Sequence, residues 1–217
     1  MSFGGSVKSA DIVLSNGFKT AGKSGGSGSW RGVLGNGALS GPIYFEISIT
    51  SLNGIYWFGI GNNSSAMNAS PSISGGAGTA YLYSSDGYKG DGSSETSIGT
   101  TYGAGDIVGI AFDPSAGKIW FAKNNTWVLS GNPSAGTNAL FSGISGRYMP
   151  LASMNGTAGS TSVTIADAAN QTYSPPSGFT AANFPAFAYV LTEMKAVTGN
   201  SASAALTAST AIFNLRI

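Results

Sequence analysis

Apolar and polar residues alternate along several short segments of the chain. Between positions 43 and 50, apolar side chains occupy every second position from Ile43 to Ile49, and Tyr44 and Glu46 lie among the residues between them. A period of two predicts a strand with one buried face. The segment 55–61 is apolar on both faces, which predicts a central strand covered on both sides. Further strands are predicted at 79–83, 106–113, 118–123, 149–154 and 160–165.

Turn residues separate these segments. Pro114–Gly117 and Asn124-Asn125 each predict a tight turn between strands, and an opening hairpin is predicted around Asn16. A helical turn is expected at each of 64–69 and 138–141, and a short helix at 189–197. Glycine- and serine-rich loops are expected at 22–29, 62–78 and 86–99. About twelve short strands predict an all-β sandwich or barrel.

Composition excludes several classes of function. Charged residues make up only 9% of the 217 positions, and the net charge is +1. No basic cluster is present, so binding of nucleic acid is not expected. The chain has no Cys and no His, which excludes disulfides, imidazole or thiolate metal ligands, and Ser-His-Asp or Cys-His catalysis. No apolar run reaches 18 residues, so we expect no membrane insertion.

Several segments in a fixed order resemble one known family. They are Phe58–Asn62, Tyr102–Asp113, Gly117–Asn124, Tyr148–Ala152 and Tyr173–Phe179. Together they resemble the SPRY family, in the form seen in bacteriophage virion proteins, over residues 12–179. The chain departs from the family pattern at 165–169, where the family usually has Asn-Phe-Gly.

The resemblance implies a fold and a domain division. It implies a two-sheet antiparallel β-sandwich of concanavalin-like jelly-roll architecture over residues 1–183. Residues 184–217 have no counterpart in the family pattern. Their Ala/Ser/Thr-rich sequence ends in the alternating segment 211–217, which favours equally two extra strands in the same domain or an arm that pairs with a neighbouring subunit.

The nine carboxylates do not form an enzyme-like pattern. Asp106 and Asp113 stand at the two ends of one predicted strand, about 20 Å apart, too far for a glycosidase pair. Asp86, Asp91 and Glu95 miss the spacing of a calcium loop and predict a solvated loop instead. We therefore predict no catalytic residues, no metal site and no cofactor.

Aromatic residues are the remaining candidates for binding. Tyr83, Tyr88 and Trp127 lie beside turns rich in Asn and Ser, and Lys89 and Asp91 lie one and three residues after Tyr88. Flat apolar surface with polar edges suits contact with a protein or a sugar. These five residues form the predicted binding set. By contrast, Trp30, Trp57 and Trp120 are predicted to pack within the sandwich.

The resulting hypothesis is a non-enzymatic structural protein of a phage virion, located on the head, a fibre or the tail. Its expected partners are other virion proteins and a host-surface glycan or protein, within a homo-oligomer or another symmetric assembly. One alternative is a soluble SPRY adaptor that grips a peptide in its loops. Another is a carbohydrate-binding or glycan-active sandwich.

Overall fold

The computed structural model describes residues 3–183 of the chain. Within this range the chain forms sixteen strands and one 3₁₀ turn at Val128–Ser130. The strands are β1 (Phe3–Lys8), β2 (Ile12–Ser15), β3 (Thr20–Lys23), β4 (Trp30–Gly35), β5 (Ile43–Ser51), β6 (Gly54–Gly61), β7 (Ala80–Ser84), β8 (Tyr88–Gly90), β9 (Glu95–Ser97), β10 (Ile107–Asp113), β11 (Lys118–Lys123), β12 (Thr126–Trp127), β13 (Phe141–Ser142), β14 (Met149–Gly156), β15 (Ser162–Ala166) and β16 (Thr180–Ala181).

The strands form two sheets. The seven-stranded sheet has the order β1-β4-β14-β6-β7-β8-β9. The nine-stranded sheet has the order β12-β11-β10-β5-β15-β3-β2, with β13 beside β11 and β16 beside β5. Neighbouring strands are antiparallel except for β16, which runs parallel to β5. This arrangement confirms the predicted all-β, two-sheet fold.

The core between the sheets follows directly from the alternation. Phe45 on β5 pairs with Ile110 on β10, which pairs with Phe121 on β11, and all three side chains are buried in the main apolar cluster. From the other sheet, Tyr56 and Phe58 on β6 enter the same cluster. Each strand therefore contributes every second residue to one continuous core.

The outer faces of both sheets are also covered. On the seven-stranded sheet, Trp57 packs in a cluster that includes Met67 of the long loop after β6. On the nine-stranded sheet, Trp120 packs with Trp127 and Phe179. Trp57 and Trp120 are thus buried, as predicted, and Trp30 packs partly buried against the Trp57 cluster.

The prediction that β5 has one exposed face is wrong for the first half of the strand. Tyr44 and Glu46 are each only 1% exposed, because residues 171–182 lie over them. Glu46 accepts hydrogen bonds from the Tyr44 hydroxyl (2.9 Å) and from the backbone N–H groups of Thr172 (2.7 Å) and Tyr173 (2.8 Å). These three donors satisfy the buried carboxylate.

Two smaller expectations differ from the structure. Residues 64–69 form turns and bends, not helix, because bonds such as Ser64 N–H to Asn62 Oδ1 (2.9 Å) hold this loop. Residues 138–140 form an irregular segment with bends, and Phe141 begins β13. The possible helix at 189–197 and the whole extension 184–217 lie outside the described residues, so both remain predictions from sequence.

Candidate functional site

The turn between β11 and β12 positions Trp127. Asn124 and Asn125 both adopt left-handed backbone conformations (φ 46° and 66°), which two-residue hairpin turns require and Asn tolerates. Lys123 then pairs with Thr126, and Ala122 pairs with Trp127. The short hairpin therefore turns the chain back and places Trp127 at the edge of the nine-stranded sheet.

Asp106 fastens this turn to the start of β10. Asn124 Nδ2 donates to Asp106 Oδ1 (2.6 Å), and Lys123 Nζ lies 3.2 Å from Asp106 Oδ2. Burial acts to raise the pKa of Asp106, but hydrogen bonds from Gly103 N–H, Asn124 and Lys123 hold the pKa below its ordinary value. The carboxylate therefore neutralises Lys123 and makes the turn rigid.

Trp127 is only partly buried. Its ring meets the Tyr44 ring edge-on, with 6.3 Å between centroids, and packs on the outer cluster of the nine-stranded sheet. Such edge-to-face pairs contribute about 0.5–1.5 kcal/mol beyond the area they bury. One part of the indole is thus anchored by packing, and the rest contributes to the surface.

The residues after Trp127 carry an unusual backbone. Leu129 (φ 51°) and Ser130 (φ 56°) both lie in the left-handed region, and the Leu129 side chain is 57% exposed. A left-handed conformation costs a non-glycine residue about 1–2 kcal/mol. Two hydrogen bonds hold this left-handed backbone in place. Gly131 N–H donates to the Val128 carbonyl (3.0 Å), and Asn138 Nδ2 donates to the Ser130 carbonyl (3.0 Å). The fold therefore presents an apolar side chain to solvent in a strained position.

These residues surround a surface hollow of about 380 Å³. We call it the Trp127 hollow. Its lining consists of Thr100, Lys123, Asn124, Thr126, Trp127, Val128 and Leu129. Because Asp106 pairs with the single lysine of the lining, the hollow combines apolar surface with neutral polar groups.

Tyr88 lies at the same end of the sandwich. It is 38% exposed on β8, directly after the turn at Gly87. The Gly87 carbonyl accepts hydrogen bonds from Ile98 N–H (2.8 Å) and Gly99 N–H (3.2 Å), and the next residue, Thr100, lines the Trp127 hollow. The loop at 98–100 thus connects the Tyr88 turn to the hollow.

Tyr83 does not belong to this surface, which corrects its place in the predicted binding set. It is fully buried between the sheets, edge-on to Tyr102 (4.9 Å) and Phe121 (5.8 Å). Its hydroxyl donates to the Thr100 carbonyl (3.0 Å), and burial raises its pKa. The residue packs in the core because β7 points it inward, so its side chain is not part of the surface.

Lys89 points to the side of β8 opposite Tyr88. Its Nζ donates to the Leu140 carbonyl (3.2 Å) and lies 5.1 Å from the centroid of the Phe141 ring. The side chain therefore links β8 of the seven-stranded sheet to β13 of the other sheet. This structural contact occupies the ammonium group that the sequence assigned to binding.

Asp91 shapes the turn between β8 and β9. Its Oδ1 accepts from the N–H and hydroxyl groups of Ser93 and Ser94, at 2.9–3.2 Å. Burial opposes ionisation, but these four bonds hold the pKa of Asp91 below its ordinary value. Asp91 stands three residues after Tyr88, about 10 Å further along the strand direction. The structure thus brings Tyr88 and Trp127 to one end and leaves Asp91 away from it.

Sequence reasoning missed Leu129. Nothing in the residue types Trp-Val-Leu-Ser indicates a left-handed backbone, since Leu rarely adopts one. Its exposure and strain depend on Gly131 and on Asn138, a residue nine positions away. No sequence signal identifies such a residue.

All eight carboxylates between residues 3 and 183 accept hydrogen bonds or form ion pairs. The partners are Arg31 for Asp11, Ser84 for Asp86, Ser72 for Glu95, Lys19 for Asp167 and backbone N–H groups for Asp113, besides those given above for Glu46, Asp91 and Asp106. In this part of the chain no three acidic residues are grouped in a way that could hold a metal ion. Nor does any helix within it have the length and apolar character needed to cross a membrane.

Comparison with known structures supports the fold. The SPRY domain of human HERC1 superposes with a TM-score of 0.60 at 17% identity, covering 76% of this chain and 98% of that one. A second human SPRY domain gives a TM-score of 0.52 at 20% identity, covering 71% and 94%. Stonustoxin gives 0.54 at 19% identity, covering 76% of this chain and 26% of that one.

Comparison by sequence gives the family. No curated protein matches the chain by sequence. The family model of the SPRY domain matches residues 42–165, which is more than half of the chain. The match ends at Ile165, where the chain departs from the usual family pattern. This chain belongs to the SPRY domain family.

Proposed function

We propose that this chain is a non-catalytic binding module that contacts a protein through the Trp127 hollow and the neighbouring Tyr88. The observation that carries the proposal is the strained, exposed Leu129 beside the partly buried Trp127. Strain of this kind persists where the surrounding structure over-determines it, and such positions cluster at functional sites. Exposed aromatic and apolar side chains in a hollow are the anchors that protein interfaces use.

We further propose that the module acts in a bacteriophage virion, as a head decoration, fibre or tail component. The resemblance of its segments to the SPRY form found in virion proteins supports this location. The low content of charged residues and the surface rich in Ser, Thr, Asn and Gly are compatible with it. Its partners are then other virion proteins or a molecule of the host surface.

A photo-crosslinking pair tests the contact surface. A photoreactive amino acid replaces Leu129 in one version of the full chain and Ile73 in the other, because these side chains are similarly exposed, at 57% and 54%. We expect position 129 to give one discrete protein adduct in intact particles, which the additional change Trp127→Ala abolishes. Equal adducts from both positions would contradict the proposed surface.

Purified particles test the location separately. We expect the chain to copurify with infectious particles at a fixed copy number, as measured by quantitative mass spectrometry. Absence from washed particles would overturn the virion proposal and leave the contact surface to be tested in extracts.

The extension 184–217 is proposed to act as an assembly arm. Truncation after Asn183 retains β16 and its hydrogen bond from Ala182 N–H to the Tyr44 carbonyl (2.8 Å). We expect the truncated chain to fold and to be monomeric in sedimentation, while the full chain assembles. A full chain that is also monomeric would favour the alternative of two extra strands within one domain.

A further inference from the structure

A second hollow, of about 500 Å³, lies at the other end of the sandwich. Its lining residues are Ala38, Asn62, Asn63, Ser64, Arg147 and Met149. We call it the Arg147 hollow. Met149, the first residue of β14, pairs with Gly61, the last residue of β6. Arg147 and Asn62–Ser64 therefore extend from the ends of two adjacent strands, far from the Trp127 hollow.

The backbone around Arg147 is held firmly. The next residue, Tyr148, is buried, and its ring packs edge-on against Tyr81 (5.5 Å) and Phe112 (6.2 Å). Its carbonyl accepts from Leu39 N–H (2.8 Å), and its hydroxyl donates to the Gly78 carbonyl (2.7 Å). Burial, with the neighbouring Tyr81, raises the pKa of Tyr148 to about 12, so this phenol remains a donor at neutral pH.

The opposite wall is also preformed. Asn62 N–H donates to the Thr79 carbonyl (3.0 Å), and Asn62 Oδ1 accepts from Ser64 N–H (2.9 Å). The Asn63 amide and the Ser64 hydroxyl make no hydrogen bond to any residue between 3 and 183. These two groups are therefore available to a ligand.

The charge of Arg147 has no partner among the described residues. Its side chain is exposed, and neither an ion pair nor a hydrogen bond joins it to residues 3–183. By contrast, the other arginine of this range, Arg31, pairs with Asp11. No carboxylate lines the Arg147 hollow. A guanidinium in this setting is complementary to an oxyanion, which it binds through two parallel N–H donors.

The remaining lining indicates what carries the oxyanion. The free amide and hydroxyl of Asn63 and Ser64 suit the hydroxyl groups of a sugar, and Met149 and Ala38 provide a small apolar surface for its C–H groups. The hollow has no aromatic lining residue, so hydrogen bonds and charge, not ring stacking, are the contacts that its lining provides. Its volume lies within the range of small-molecule sites.

We propose that the Arg147 hollow binds an acidic sugar, with the sugar carboxylate on Arg147 and its hydroxyl groups on Asn63 and Ser64. This site is independent of the protein contact proposed at the Trp127 hollow. A chain carrying both would hold a protein at one end and an acidic glycan at the other.

Titration of the full chain with glucuronate, followed by NMR chemical shifts, tests the proposal. We expect shifts at Asn63, Ser64 and Arg147, and none with glucose at the same concentration. Arg147→Gln is expected to weaken glucuronate binding about tenfold or more, the loss that one charge-assisted hydrogen bond represents. Arg147→Lys keeps the charge without the planar fork and should bind with intermediate affinity.

Control variants and other anions distinguish the proposed acidic sugar from other ligands. Because Arg147 makes no bond to the described residues, its variants should keep the melting temperature, so lost binding cannot be attributed to unfolding. Lys118→Gln serves as a matched control that removes a positive charge outside the hollow and should leave binding unchanged. Equal shifts with acetate, phosphate or sulfate, tighter binding of a glutamate-rich peptide, or no shift near Arg147 would each overturn the assignment.

Discussion

The Tyr44 hydroxyl donates a hydrogen bond of 2.9 Å to the Glu46 carboxylate, two residues further along the same face of β5. The same carboxylate accepts the N–H groups of Thr172 and Tyr173. One buried acidic residue therefore fastens the segment 171–182 over the nine-stranded sheet. This contact explains why a face that alternates like an exposed one is covered.

We expect Glu46→Ala to lower the free energy of unfolding by about 3 kcal/mol, because three donors lose their buried acceptor. Tyr44→Phe removes one donor and should cost about 1 kcal/mol. Chemical denaturation measures both changes. A double variant whose loss equals the sum of the two would contradict a direct Tyr44–Glu46 interaction.

Substitutions at Leu129 should separate stability from binding. Leu129→Asn places a residue that tolerates the left-handed backbone at φ 51°, so the free energy of unfolding should rise by about 0.5–1 kcal/mol while protein contact is lost. Leu129→Val keeps an apolar side chain but should lower stability, since β-branched residues suit this conformation least. Thermal denaturation measures stability, and the crosslinking yield from a photoreactive residue in place of Thr126, which is exposed and lines the same hollow, measures the contact. An Asn variant that is both less stable and fully binding would exclude a functional origin of the strain.

Two tyrosines of the predicted binding set should behave in opposite ways. Tyr83→Phe removes a buried hydroxyl that donates to Thr100, so stability should fall by about 1 kcal/mol with the contact at position 129 maintained. Tyr88→Ala removes an exposed ring, so it should weaken that contact and leave the melting temperature nearly unchanged. Denaturation and crosslinking on the same two variants provide the comparison. Equal binding loss in both would place Tyr83 in the binding function despite its burial.

The Asp106 carboxylate should make stability depend on pH in the acid range. Its folded-state pKa lies below the unfolded value of about 4. The ionised group therefore stabilises the fold above the unfolded pKa, and this contribution is lost as the pH falls through the folded-state pKa. Asp106→Asn should lower the free energy of unfolding at pH 7 by about 1 kcal/mol. It should also make the loss of stability below pH 4 smaller than in the unchanged protein. The pKa values of Asp91 and Asp167 are also lowered, so the variant should still lose some stability as the pH falls. Unfolding curves from pH 7 to pH 2 check this, and an unchanged slope would contradict it.

The sequence predicts the central strands well, because their apolar residues recur with a period of two. The segment 118–123 coincides with β11, and 55–61 differs from β6 by one residue at its start. Strands β1, β8 and β9 escape prediction, since Gly- and Ser-rich or polar segments carry no such period. They form strands because neighbouring strands pair with them, which is tertiary information.

The binding set is predicted less well for the same physical reason. Around Tyr83 both neighbours on β7 are buried, so alternation cannot tell which face meets the core and which meets a covering loop. Tyr88 and Trp127 are the aromatic members of the set that the structure leaves at least partly exposed, and their role in binding stays a prediction. Arg147 has no signal at all in the sequence, since its lack of a partner depends on which residues the fold places around it.

β16 runs parallel to the start of β5, so the chain after Thr180 advances in the same direction as β5. Its final backbone bond, from Ala182 N–H to the Tyr44 carbonyl (2.8 Å), joins the second residue of β5, whose ring meets Trp127 edge-on (6.3 Å). Phe179, just before β16, packs in the same outer cluster as Trp127. The last described strand therefore supports Trp127, so a truncation that removes residues 179–182 would loosen the proposed contact surface as well as the sheet.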